Sequence, residues 1–147
     1  MSKRQTPVII ELCTTIEENG EKEYHKVEQR GTFYRKGHID VLTYVEAGEG
    51  MPTVSNLLTI QPNKVNLKRS GNVKMNQQFL LNKKTENIVK HPYGSLYMET
   101  FTTKIVYEPI QPAKVGNLYI AYEIKLNDQH IRRQKINLII KKEDNKA

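Results

Sequence analysis

The sequence predicts an all-β protein: a single antiparallel sheet closed into a barrel of about eight to ten strands. Three observations lead there. Apolar and polar residues alternate over long stretches, as in Leu118, Ile120, Tyr122, Ile124 and Leu126, or Ile136, Leu138 and Ile140. This is the period of a pleated sheet with one wet face. Turn signals (Asn19-Gly20, Pro62-Asn63, Ser70-Gly71-Asn72, Asn127-Asp128) separate these stretches at hairpin spacing,. No segment shows the apolar 3,4 spacing of a helix; the nearest candidate, Val73–Leu81, is rich in β-formers,. Such a chain must close into a barrel or stack as a sandwich, and closure removes exposed edges.

Residues 1–6 read as a polar tail, 7–142 as the barrel and 143–147 as a second polar tail,. Val8 to Glu17 alternate and form the first strand, and Asn19-Gly20 turns into a polar return strand, Glu23–Arg35,. Gly31 within it marks a bend or bulge, as expected where a small barrel turns a corner,. His38–Glu46 is the third strand. The Gly-rich loop 47–52 that follows lacks the Lys and Ser of a phosphate cradle,. Thr53–Ile60 and Val65–Arg69 make a hairpin, followed by Val73–Leu81 and the short strand Glu86–Lys90. The stretch Tyr93–Tyr107 (YGSLYMETFTTKIVY) is the longest nearly unbroken β-prone run, a strand on which the others register,. In it Tyr97, Phe101, Ile105 and Tyr107 share one parity, with Met98 and Val106 on the other. Pro109–Gly116 reads as the one crossover, before the strands Asn117–Asn127 and Ile131–Lys142.

At 147 residues the chain suits one domain with a sizeable core,. A hydrophobic fraction of 37% would suit disorder, but the apolar residues alternate instead of scattering, which argues for a folded sheet,. The excess of 23 Lys and Arg over 16 Asp and Glu gives a net charge of +7. That favours anionic partners, nucleic acid among them, yet it is also a common means of solubility. Nucleic-acid binding on a sheet normally adds exposed aromatics, whereas the tyrosines here follow apolar parity, so nucleic acid is disfavoured. A single cysteine, Cys13, precludes an internal disulfide framework and reads as a buried, inert thiol,. With no signal peptide and no apolar run of membrane length, the expected compartment is the cytoplasm.

The series FYRKG (33–37), TYVE (43–46), VNLKRSG (65–71), MNQQF (75–79), PYG with Met98 (92–98) and LYIAYEIKLN (118–127) resembles the YwiB-like family of small bacterial proteins. The resemblance spans about Val8 to Lys141, with His91 standing where a threonine or similar residue is expected before the proline of PYG. It implies a calycin- or lipocalin-like β-barrel and supplies no catalytic residue.

Polar residues that share parity with the apolar ones are the candidates for the barrel interior. Arg69 lies on the Val65–Leu67 face, Gln77 on the Met75–Phe79 face, Glu99 with Tyr97 and Phe101, and Tyr122 between Ile120 and Ile124. A buried arginine needs a carboxylate, for which Glu99 is the first choice and Glu46 the second. Arg69, Gln77, Tyr97, Glu99 and Tyr122, with Met75 in the wall and His91 at a barrel mouth, would suit a small, partly polar or anionic ligand. The alternative is a filled core, with Arg69 in an internal ion pair or in water, in a module that contacts an acidic protein or RNA through its basic outer face. A hydrolase or isomerase built on His91, with Ser95 nearby, has least support, because no nucleophile elbow or third member is present. His25, His38, His91 and His130 are scattered outside metal-motif spacing,. The reading is therefore a non-enzymatic barrel with no metal and no cofactor, its oligomeric state open.

Overall fold

A computed structural model describes residues 5–46, 52–127 and 129–143. Most of the Gly-rich loop read at 47–52, Asp128 of the Asn127-Asp128 turn, and residues 1–4 and 144–147 of the tails lie outside the described residues. Ten strands follow one another: β1 (Thr6–Glu18), β2 (Glu21–Lys36), β3 (Ile39–Glu46), β4 (Val54–Gln61), β5 (Lys64–Gly71), β6 (Met75–Leu80), β7 (Lys84–His91), β8 (Gly94–Glu108), β9 (Gly116–Leu126) and β10 (Arg132–Lys142). They form one antiparallel sheet in the order β6-β5-β4-β3-β2-β1-β10-β9-β8-β7. The first and last strands thus meet in mid-sheet, β1 and β10 being paired from Val8↔Lys142 to Glu17↔Arg133. The sheet curls until β6 and β7 face each other. There Lys74 and Lys90 exchange backbone hydrogen bonds of 2.9 and 2.8 Å, Asn82 N–H donates to Thr102 O at 2.7 Å, and Thr85 Oγ1 donates to Gln78 O at 2.6 Å. The result is an all-β, nearly closed barrel with one thinly bonded seam. Among the described residues, no helix is long and apolar enough to cross a membrane.

Pro109–Val115 is not a crossover. β8 and β9 are neighbours in the sheet, so the segment is a long hairpin connection. Its length lets Ile110 tuck under the barrel, where it is buried among the core residues. Gly116 makes room for it, because a Cβ there would lie 2.9 Å from the Ile110 backbone nitrogen. The same end holds Asp40, 6% exposed, which accepts from Arg35 Nε at 2.6 Å and from the Tyr107 hydroxyl at 2.6 Å. Ile110 and this buried polar cluster stop one end of the barrel.

The parity read along β8 is correct only for its second half. A bulge between Thr102 and Lys104 inserts Thr103 against the β9 partner. Before it, Met98, Thr100 and Thr102 are buried; after it, Ile105 and Tyr107 pack against the core. One extra residue exchanges the two faces of a strand. Tyr97, Glu99 and Phe101 therefore face outward, and a reading that carries one parity through the strand puts them on the wrong side. Cys13 is also displaced from its expected place: it is half-buried, on the parity opposite the core residues Val8 and Ile10, beside Lys26. Inside, Val8, Ile10, Leu42, Ile60, Val65, Phe79, Leu118, Ile120, Leu138 and Ile140 are essentially inaccessible, each such large side chain contributing about 1.5–3 kcal/mol on burial.

β2 is the longest strand, and only Gly31, Thr32 and Phe33 in it are paired on both sides. β1 pairs along it from Glu21 to Phe33, whereas β3 pairs only from Gly31 to Lys36. Gly31 is where the third strand joins: a Cβ there would lie 2.6 Å from Thr43 O. Below Gly31, residues 21–28 are exposed throughout.

Candidate functional site

The alternation that buries an aliphatic floor also carries polar side chains inward near the other end of the barrel. A cavity of about 340 Å³ opens there. Its deeper walls are Ile10, Leu58, Phe79, Tyr122 and Leu138, with the Phe79 and Tyr122 rings edge-to-face at 4.8 Å. Half-buried residues (Thr14, Gln29, Tyr44, Glu46, Arg69, Gln134) form its upper wall, so the cavity faces solvent at the end opposite Ile110.

Strand β5 ends its inward set with Arg69, and β3 ends its own with Glu46. Arg69 Nη2 donates to Glu46 Oε1 at 2.8 Å, and Asn56 Nδ2 donates to the same oxygen at 2.8 Å. The Nε of Arg69 is buried and has no hydrogen-bond partner. Burial pushes the Tyr44 phenol up to about 12, helped by the Glu46 charge and opposed by Arg69. Burial alone raises Tyr122 well above the ordinary phenol value, while its hydroxyl donates to Gln134 Oε1 at 2.9 Å. Gln77, 4% exposed, donates to Thr100 Oγ1 at 2.9 Å. The site is an apolar cup with the Tyr122 phenol in its deeper wall, and its upper wall carries one ion pair, the Tyr44 phenol and several amides. It can hold a small organic molecule and offer it a hydrogen bond from a cation.

Of the residues singled out from sequence, the structure brings Arg69, Gln77, Met75 and Tyr122 to this cavity. It keeps three away. Glu99 faces outward, where it pairs with Lys84 at 3.6 Å, so the carboxylate beside Arg69 is Glu46. Tyr97 also faces outward, and its hydroxyl hydrogen-bonds Glu86. His91 lies at the exposed β7–β8 turn, stacked at 5.3 Å on Tyr93 and accepting from the Tyr93 N–H at 3.3 Å, away from any cavity wall. Sequence reasoning overlooked Tyr44, Asn56, Thr100 and Gln134. Two could have been found: Asn56 shares parity with Val54, Leu58 and Ile60, and Gln134 shares it with Ile136 and Leu138. Among the described residues, no three His, Cys, Asp or Glu side chains are placed to hold a metal ion.

A second, shallower cleft of about 940 Å³ lies on the outer side, where β2 parts from β3. It shares Gln29, Tyr44 and Asn56 with the interior cavity, so the two meet at the split.

Comparison with known proteins agrees with this architecture. The chain is 29% identical over 127 residues to the uncharacterized beta-barrel protein YwiB of Bacillus subtilis (strain 168), covering 86% of this chain and 87% of that one. The crystal structure of the ywiB protein from Bacillus subtilis superposes with a TM-score of 0.85 at 24% identity, over 97% of this chain and 96% of the other, a likeness of fold. Residues 10–138 match the profile of the domain of unknown function DUF1934, and the chain belongs to that family.

Proposed function

We propose that this barrel is a non-enzymatic binder of a small, partly polar or anionic molecule, held in the cavity between Arg69 and the Phe79–Tyr122 floor. The observation that carries the reading is the Arg69 Nε–H, a charged donor buried in the cavity wall without an acceptor. An unmet buried donor costs about 1–3 kcal/mol, and a ligand carboxylate or carbonyl oxygen would supply what it lacks. Glu46 already balances the Arg69 charge, which favours a ligand carrying at most one negative charge. The alternative, a filled module acting through its basic outer face, has less support. The interior holds a cavity, and several outer cations are engaged, Lys26 and Lys141 with Glu11 and Arg133 with Glu17 and Glu123.

The test uses 1-anilinonaphthalene-8-sulfonate, an apolar ring system with one anionic group. Its fluorescence should rise on saturable binding to the folded protein. Arg69→Met should weaken binding by about tenfold, the equivalent of ~1.4 kcal/mol, and Met75→Trp should abolish it by filling the cavity. Undiminished binding to both variants, each shown to be folded by circular dichroism, would overturn the reading.

A further inference from the structure

A barrel normally leaves no open strand edge, but here β2 has one. The two-residue Asn19–Gly20 turn closes on the Glu18↔Glu21 pair. In an antiparallel ladder the hydrogen-bonded pairs then alternate from that point. Glu21, Glu23, His25, Val27 and Gln29 thus point their backbone groups at β1, while Lys22, Tyr24, Lys26 and Glu28 point theirs away. The β3 ladder starts only at Gly31↔Tyr44, and no other backbone hydrogen bond among the described residues reaches this edge. Four residues whose N–H and C=O groups meet no backbone partner among the described residues therefore lie in line, and Tyr24 among them is 73% exposed.

We infer that this edge is the contact surface for a second copy of the chain, with the two β2 strands paired antiparallel about a twofold axis at His25. Two independent arguments select that register. The first is steric. Centring on His25 sets the Asn19–Gly20 tip of one copy beside Arg30 of the other, in the outer cleft where β2 leaves β3. A shift of two residues further would drive the tip into the position that β3 occupies at Gly31. The second is electrostatic. With the axis at His25, Lys22 lies opposite Glu28 of the second copy, and Tyr24 opposite its Lys26. All four pairs, counting both directions, then match a charge with its opposite or a cation with an aromatic ring. Moving the axis to Tyr24 would set Lys22 against Lys26, and moving it to Lys26 would set two lysines face to face. The charges that guard this edge against unrelated strands are thus arranged to accept this strand itself. The pairing would also cover the split at Gln29, Tyr44 and Asn56 that leads into the cavity.

Sedimentation equilibrium from low to high micromolar concentration tests the inference, the chain alone having a mass of 17.1 kDa. The expected result is reversible self-association to twice that mass, with hydrogen-exchange protection of the Lys22, Tyr24, Lys26 and Glu28 amides rising with concentration. Tyr24→Pro removes an edge N–H that no intrachain partner uses, and should leave a folded monomer. Lys22→Glu alone and Glu28→Lys alone should each weaken association by about tenfold or more. A mixture of the two single variants should dimerise, because every Glu then meets a Lys. A monomer at all concentrations overturns the inference. So does a dimer that ignores Tyr24→Pro, or single variants that stay apart when mixed.

Discussion

Arg69 and Glu46 close the upper wall of the cavity from strands that are not neighbours, β5 and β3, with β4 between them contributing Asn56 to the same carboxylate oxygen. The contact spans the sheet laterally and ties three strands together at the rim of the cavity. Neither side chain is fully withdrawn from water, the arginine being 26% and the glutamate 42% exposed, so its strength lies between that of a surface pair and a buried one.

A double-mutant cycle of Glu46→Gln and Arg69→Met should return a coupling energy of about 1 kcal/mol in urea unfolding. Glu46→Ala alone should cost about 1–2 kcal/mol, because it strands both Arg69 and Asn56. A coupling indistinguishable from zero would mean that the pair does not persist in solution.

Deleting Thr103 should straighten β8 without exchanging its faces. Thr103→Ala removes one exposed hydrogen bond, to Ala121 O at 3.1 Å, and should change stability by no more than about 1 kcal/mol. Deletion joins Thr102 to Lys104, whose partners Tyr122 and Ala121 are already adjacent on β9, so the ladder closes without a bulge and Ile105 and Tyr107 stay inward,. A folded protein that has lost about 1–3 kcal/mol, through the changed local twist, is expected. A deletion variant that fails to fold would show that Thr103 is not the one surplus residue between the two halves of β8.

At the stopped end, Ile110→Ala should cost about 2–4 kcal/mol through the void it leaves. Asp40→Ala should cost about 2–3 kcal/mol by leaving the Tyr107 hydroxyl and Arg35 without their acceptor. Neither change should alter binding in the cavity at the other end, which a fluorescence titration of each folded variant would check.

Stability should fall as pH rises beyond about 10. The phenols of Tyr44, Tyr107 and Tyr122 are raised above the ordinary value of 10.0, Tyr44 to about 12, chiefly by burial. The folded state then holds protons that the unfolded chain releases. The stabilisation is complete below pH 10 and is lost as pH climbs toward the folded value, at up to ~1.4 kcal/mol per pH unit for each such phenol. Unfolding midpoints measured between pH 9 and 12 should decline, and Tyr44→Phe should decline less steeply than the parent. A flat profile would place these hydroxyls in water.

The alternation at Val8–Ile16, Leu118–Leu126 and Ile136–Ile140, with Asn19-Gly20 and its counterparts, was sufficient by itself to determine an antiparallel barrel and most of its strand limits. These are local properties: a period of two and the turn chemistry between runs can be read within a dozen residues. The inward placement of Arg69, Gln77, Met75 and Tyr122 was legible for the same reason, since each lies in a strand of unbroken period. Tertiary structure alone decided that Glu99 and Tyr97 face outward, because a single inserted residue at Thr103 leaves no mark in the alternation on either side of it. It alone decided that Glu46 is the partner of Arg69, that Ile110 folds under the barrel, and that β2 keeps an open edge. Each of these depends on which strands lie side by side and where their ladders end, and that is set by closure of the whole sheet.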